Sequence, residues 1–149
     1  MIAERHTMPP ETLIPKILAL LQISDAVPLV ITGSSMTPFL THERDMVYLS
    51  KPNRPLKRGD MIFYRRDNGW YVLHRICRIQ DGKYWLVGDA QTGIEPGIRS
   101  DQVIAVVNAV RRNGKLIKPG DLAWEFFEHL WIRMIPLRPY FIKFHSLFH

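Results

Sequence analysis

Apolar residues recur with different spacings in three parts of this chain. Over residues 11–22 they follow the spacing of one helix face, which predicts a short helix. From residue 27 onward, short apolar runs are separated by turn residues, as is typical of strands. These runs predict strands at 27–32, 45–49, 61–64, 70–79, 84–87, 103–110 and 116–117, with a loop over 88–100. We therefore expect a mainly β fold of the α+β class, built from antiparallel sheets.

Beyond residue 120 the apolar spacing is helical again. Asp121 is the expected N-cap of a helix that runs to about residue 134. After Pro136, aromatic residues mix with Arg and Lys, a composition that fits either a membrane interface or a helix packed on its own domain. The chain thus divides into an N-terminal helical segment (1–26), a β domain (27–120) and an amphipathic, basic and aromatic segment (121–149).

Charge narrows the classes of partner. The chain has 149 residues, a formal net charge of +6 and a pI near 9.7. Residues 109–149 contain seven Lys or Arg against three acids, so most of this charge lies near the C-terminus. A basic balance favours nucleic acid or an anionic membrane surface. Because no nucleic-acid-binding motif is recognisable, we expect no nucleic acid and keep peripheral membrane contact through 121–149 as an expectation.

Cysteine content and the lengths of the apolar runs restrict the cellular compartments that we expect for this protein. Cys77 is the only cysteine, which excludes an internal disulfide and a cysteine-based zinc site. The start of the chain is not a convincing signal peptide, because Glu4 precedes the apolar region and Lys16 interrupts it. No run of about 18 apolar residues occurs. We expect a protein that is membrane-associated without a clear transmembrane helix, or otherwise cytoplasmic.

Candidate chemistry begins at residues 33–38, a Ser-rich turn that follows the first predicted strand. A hydroxyl held in such a turn becomes a nucleophile only if a base lies beside it. His74 is the candidate base for Ser35, although a histidine within a strand is more often a buried core residue. Alternation along 70–79 places His74 and Cys77 on opposite faces of the strand. A third, acidic group would orient the imidazole, and Asp89, Glu95 and Asp101 are its candidates.

These signals together resemble the type I signal peptidase family. The similarity covers roughly residues 27–112 and includes the self-cleaving repressors related to that family. Its motifs are Gly33-x-Ser35-Met36-x-Pro38, Arg58-Gly59-Asp60-Met61-Ile62-Phe63, Leu73-His74-Arg75-Ile76, Gly88-Asp89 and the apolar strand 103–110. The resemblance implies a signal-peptidase-like β fold of antiparallel sheets, with a short N-terminal helix and a C-terminal amphipathic helix.

The resemblance also implies roles for individual residues. Ser35 would be the acylating nucleophile and His74 the base, as in the Ser-His branch of the family rather than the lysine branches. Glu95 and Asp89 are joint candidates for the acid. The substrate-binding and oxyanion residues would be Gly33, Ser34, Met36 and Pro38. Because Gly33 replaces a hydroxyl residue that many members have, the oxyanion would depend mainly on backbone amides such as that of Ser35.

The expected function is therefore that of a serine endopeptidase that cleaves a leader or signal segment. Its substrate would be an extended polypeptide laid against a sheet edge. The mechanism requires no cofactor and no metal. The alternative expectation is a non-catalytic regulatory or assembly module that uses the same β fold.

Overall fold

One antiparallel β-sheet organises the protein. The computed structural model describes residues 10–147, and side chains over 13–144. Its strands are β1 Val27–Val30, β2 Met46–Ser50, β3 Met61–Arg65, β4 Tyr71–Gln80, β5 Lys83–Val87, β6 Glu95–Arg99, β7 Val103–Arg112 and β8 Lys115–Ile117. Hydrogen bonding gives the order β1-β2-β7-β3-β4-β5-β6, with β8 beside β7. The expected mainly β, α+β architecture is confirmed.

Helical segments precede and follow the strands along the chain. Helix α1 spans Pro10–Ile23, close to the predicted 11–22, and α3 spans Arg138–Leu147. Between them lies α2, Leu122–Glu125, which continues as a π-helical turn (Phe126–Leu130) and two 3-10 turns (Trp131–Arg133, Ile135–Leu137); another 3-10 turn is Ser100–Gln102. Asp121 occupies the predicted N-cap position, but its side chain accepts from the Lys118 amide at 2.8 Å instead of capping the helix.

Both faces of the sheet are buried. One face carries Phe63 and Leu73 and packs on the larger core, which also receives residues from α1 and from the 121–149 segment. The contributors from those two segments are Ile14, Ile17, Leu21, Trp124, Phe127 and Trp131. The opposite face forms a smaller core from Ile62, Tyr64, Val72, Ile76, Leu86, Ile98 and Val106. Over the described residues, the three predicted segments therefore share one core. Residues 1–9 of the first segment are not among the described residues.

Strong curvature closes the sheet over the smaller core. Strands β4 and β5 separate β3 from β6 in the hydrogen-bonded order. Even so, Tyr64 on β3 contacts Glu95 on β6, with the hydroxyl 2.6 Å from the carboxylate. The sheet must therefore bend until its two strands meet across the concave face. This curvature is what brings the candidate site residues together.

Strand β6 corrects the predicted loop over 88–100. It pairs with β5, Tyr84 opposite Ile98 and Leu86 opposite Glu95, with an irregularity in register between these pairs. Pro96 and Gly97 hide the strand from a pattern search, because proline lacks a ladder donor and Gly97 has a φ of 76°. Both residues are tolerated here because β6 is an edge strand.

The C-terminal segment packs on the β domain. Arg138, at the start of α3, is fully buried, and Ile142 one turn later packs against the larger core. Of the two interpretations left open by the sequence, packing on the domain is therefore observed. Among the described helices, none combines the length and the apolar character needed to cross a bilayer.

Candidate active site

The turn that carries Ser35 is anchored by the apolar residues that follow it. Met36, Phe39 and Leu40 are buried in the larger core, whereas Ser35 is half-buried and Ser34 is exposed. The Met36 carbonyl accepts from the Leu40 amide at 2.9 Å, which closes one helical turn directly after the serine. This anchoring fixes the backbone of Ser35 at the edge of the core.

The predicted oxyanion residues have mainly backbone contacts within this turn. Gly33 has a φ of 86°, and its amide donates to Nδ1 of His42 at 2.7 Å, so this amide is not available to an oxyanion here. The Ser34 carbonyl accepts from Thr37 at 3.2 Å. The Pro38 carbonyl accepts from Arg112, also at 3.2 Å, and the Thr37–Pro38 peptide bond is cis.

Sequence reasoning missed His42. Because Nδ1 of His42 accepts from Gly33, the imidazole proton of the neutral ring lies on Nε2, which is 3.2 Å from the Glu43 carboxylate. Both ring nitrogens are therefore engaged, and His42 acts as a support for the Ser35 turn. His42 lies nine residues after Gly33, a spacing that matches neither a helix nor a strand period. No sequence pattern therefore pointed to this contact.

A loop after β5 packs directly against Ser35. The Ala90 amide donates to the Ser35 carbonyl at 2.9 Å. A Cβ atom at Gly88 would lie 2.5 Å from the same oxygen, closer than real side chains approach. The Gly-Asp motif thus has a steric reason for its glycine, because only glycine lets the loop come this close.

Asp89 belongs to this loop but not to the histidine site. Its carboxylate is fully buried and receives two hydrogen bonds from Arg75, at 2.8 and 2.9 Å. Arg75 also donates to the Gly59 carbonyl at 2.8 Å, which links two of the sequence motifs. Since Arg75 and His74 are adjacent on β4, their side chains point to opposite faces. The structure therefore does not bring Asp89 to His74, and its observed contacts are structural.

The C-terminal segment holds the same loop from another direction. Arg138 donates to the Gly88 carbonyl at 2.8 Å, to that of Gln91 at 3.0 Å and to that of Trp131 at 3.1 Å. The indole of Trp131 donates to the Asp89 carbonyl at 2.8 Å. Three carbonyl contacts, to Gly88, Asp89 and Gln91, thus hold the loop against which Ser35 packs.

Glu95, in contrast, connects to His74 through a tyrosine. His74 pairs with Ile62 across β3 and β4, which places Tyr64 diagonally beside it on the same face. The Tyr64 hydroxyl donates to Oε1 of Glu95 at 2.6 Å and lies 3.3 Å from Nδ1 of His74. Arg66 donates from Nε to both Glu95 oxygens, at 3.1 and 3.0 Å. Tyr64 therefore lies between the candidate acid and the candidate base and contacts both.

Burial controls the protonation of this group. It lowers the pKa of His74 to about 3, and the nearby positive charge of Arg66 acts in the same direction. The pKa of Tyr64 is raised by burial and by its hydrogen bond to the Glu95 carboxylate. At neutral pH the imidazole is therefore uncharged and the phenol keeps its proton. A general base must be uncharged in this way before the reaction.

A cleft of about 690 Å³ opens beside His74. Its lining residues are Arg66, His74, Ala90, Gln91, Thr92, Gly93, Glu95, Pro139, Ile142 and Lys143. Strands, the 88–91 loop and helix α3 thus each contribute a wall. The Ser35 backbone contacts one of these lining residues, because its carbonyl accepts from the Ala90 amide at 2.9 Å. The third acid candidate, Asp101, pairs with Arg99 at 3.1 Å and is exposed.

A second cluster has metal-ligand side chains. Single ligand atoms of Glu125, Glu128 and His129 lie within 4.8 Å of one another. Lys57 already pairs with the Glu128 carboxylate, and His129 Nε2 lies 3.1 Å from its other oxygen. Lys57 and His129 thus already contact both oxygens of Glu128, so we assign no metal to the cluster.

Comparisons with known proteins do not assign a family. No protein-family model matches the chain, and no curated protein matches it at the significance required. The interpretation of the site therefore depends on its geometry and on the sequence motifs.

Proposed function

We propose that the protein is a serine endopeptidase with a signal-peptidase-type β fold. The observation that carries the proposal is the Glu95–Tyr64–His74 chain of contacts, which ends in a cleft wall shared with the loop that binds Ser35. Imidazole, carboxylate and serine are the groups that acyl transfer to serine requires. The order of the sequence motifs supports the same assignment.

In the proposed mechanism, His74 accepts the proton of the Ser35 hydroxyl while Oγ attacks the scissile carbonyl. The tetrahedral intermediate collapses when His74 returns that proton to the leaving amine, and an acyl-enzyme remains. Water then loses a proton to His74, attacks the ester and releases the peptide acid as Ser35 regains its proton. A positioned base of this kind accelerates each proton transfer about 10²–10⁴-fold.

The cleft suits an extended polypeptide, and we propose a leader or signal segment as the substrate class. Backbone groups of such a segment would meet the sheet edge, while its side chains enter the cleft. Basic Lys143 and Arg66 and the acidic Glu95 border this space. The function requires no metal and no organic cofactor.

A fluorophosphonate probe tests the nucleophile. We expect the probe to label wild-type protein on Ser35, and the label to disappear in Ser35→Ala while the thermal unfolding curve is retained. Ser24→Ala is the matched control, because Ser24 is an exposed serine that precedes β1, and Ser34→Ala tests the neighbouring hydroxyl on the same turn. Equal labelling of wild type and Ser35→Ala, or loss of the label in Ser34→Ala alone, would contradict the assignment.

One observation favours the alternative, a non-catalytic regulatory or assembly module. His74 is only 5% exposed and burial makes it a weak base, as in a core histidine satisfied by a neighbouring tyrosine. This module would bind a peptide segment in the same cleft without cleaving it. It predicts peptide binding with no probe adduct and no cleavage, with or without added membrane vesicles.

We also propose peripheral membrane contact through α3. Arg138 and Ile142 face the domain, whereas Leu137, Tyr140 and Phe144 are 51%, 75% and 64% exposed. Tyr140 and Phe144 lie on one face of α3 at i and i+4, and Leu137 ends the 3-10 turn that precedes it. No acidic residue occurs between 129 and 149, which suits an anionic lipid surface.

A further inference from the structure

The Tyr64 hydroxyl occupies the space between the acid and the base of the candidate site. It lies 2.6 Å from Oε1 of Glu95 and 3.3 Å from Nδ1 of His74. The side chain is fully buried, so both contacts form away from bulk water. A phenol has a single proton, and only one of the two neighbours can receive it.

The ion pair with Arg66 decides which neighbour receives that proton. Arg66 Nε lies 3.0 and 3.1 Å from the two Glu95 oxygens, so the guanidinium and the carboxylate form an ion pair. A charged carboxylate has no proton to donate and acts only as an acceptor. The phenol proton therefore points to Glu95, and the short distance of 2.6 Å fits a charge-assisted bond.

The direction of this first bond determines the second. With its proton committed to Glu95, the Tyr64 oxygen offers only a lone pair to His74. Nδ1 of the imidazole must then be the donor across the 3.3 Å contact. Because a neutral imidazole has one N–H group, Nε2 is left without a proton and can accept one.

We propose that Tyr64 is the positioning residue of this site, which holds His74 in its Nδ1–H tautomer with Nε2 ready to accept a proton. The assignment of Ser35 as the source of that proton rests on the proposed function; the tautomer itself does not. Glu95 acts on His74 through Tyr64, in the place where a serine triad has a carboxylate in direct contact. The arrangement differs from a triad because a phenol lies between the carboxylate and the imidazole. The phenol orients the imidazole, and no negative charge contacts the ring.

Nitrogen NMR on the full chain tests the tautomer directly. In protein with ¹⁵N-labelled histidine at pH 7, we expect Nδ1 of His74 to show the shift of a protonated ring nitrogen and Nε2 that of an unprotonated one. The His74→Gln variant identifies the resonances. An Nε2–H form in wild type would overturn the inference without any variant.

Substitution of Tyr64 tests the positioning role. Tyr64→Phe keeps the ring in the smaller core and removes the hydroxyl, so the Nδ1–H population should fall and fluorophosphonate labelling of Ser35 should slow about 10- to 100-fold, part of the ~10²–10⁴ that a base supplies. Tyr84→Phe is the matched control, a partly buried tyrosine packed against the same core. It should change neither readout. An unchanged tautomer in a folded Tyr64→Phe protein would overturn the role.

The two measurements separate this inference from the proposed function. Wild type with Nδ1–H and no label would support the tautomer and count against the peptidase. Labelled wild type with Nε2–H would support the peptidase and overturn the role of Tyr64. If Tyr64→Phe does not fold, the wild-type spectrum still decides the tautomer.

Discussion

Acidification should destabilise this protein through His74 more than through an exposed histidine. The imidazole is 5% exposed, and burial lowers its pKa to about 3 from the ordinary 6.5. Tyr64, Arg66 and Glu95 contact or surround it, and Lys143 lines the same cleft. Between these two pKa values the unfolded chain binds a proton at this position that the folded protein does not bind. Stability is therefore present above pH 6.5 and falls as the pH decreases towards 3.

The size of the effect follows from the shift. Each pH unit within this window changes the free energy of unfolding by at most about 1.4 kcal/mol. Integration from pH 7 to pH 5 gives a loss of about 2 kcal/mol from His74 alone, most of it below pH 6.5. A loss of this size is a large part of the total stability of a typical domain.

Urea unfolding at pH 7 and pH 5 measures this loss. In His74→Gln the titrating group is absent, so the pH-dependent loss should be about 2 kcal/mol smaller than in wild type. His129→Gln is the control, because the His129 side chain is 59% exposed and this variant should follow wild type. Parallel losses in wild type and His74→Gln would refute the conclusion that His74 is buried in its neutral form.

The remaining predictions concern the loop after β5 and helix α3. Arg138→Met should lower the free energy of unfolding by about 3–5 kcal/mol, measured by urea titration, because buried carbonyls lose their donor. A change below about 1 kcal/mol would contradict the conclusion that Arg138 holds the loop after β5. Gly88→Ala should slow fluorophosphonate labelling and destabilise by about 1–3 kcal/mol, since the added Cβ meets the neighbouring turn; unchanged labelling would count against that contact. Tyr140→Ser with Phe144→Ser should reduce co-sedimentation with anionic vesicles, while Ile79→Ser, at an exposed strand position, should not; equal binding by all would remove the role of α3.

The strands that sequence patterns predicted well are those with uninterrupted apolar or alternating residues. Residues 70–79 predicted β4 with His74 on the face of Val72 and Ile76, and the two cores confirm that alternation. Strand β6 was missed because Pro96 and Gly97 break the local pattern. Its pairing comes from β5, a tertiary contact that no local pattern reports.

For the candidate site, local patterns selected His74 and Glu95 among the candidates but not the contacts that connect them. Asp89 and Glu95 were equal candidates, and the choice depended on Arg75, whose guanidinium takes the Asp89 carboxylate. Tyr64 looked like one apolar residue in a buried strand. Its contact with Glu95 exists only because the sheet curves until β3 meets β6, and such curvature has no signal in sequence spacing.

The contacts that hold residues 88–91 can form only late in the synthesis of the chain. Arg138 and Trp131 are synthesised after every strand, yet they supply donors to the carbonyls of Gly88, Asp89 and Gln91. Domains generally fold as units during synthesis, so this loop is held only once residue 138 has been added. A nascent chain that has not reached residue 138 therefore contains Ser35 and His74 but lacks the Arg138 donors that hold residues 88–91. Under the proposed function, newly made protein would become active only when its C-terminal segment docks.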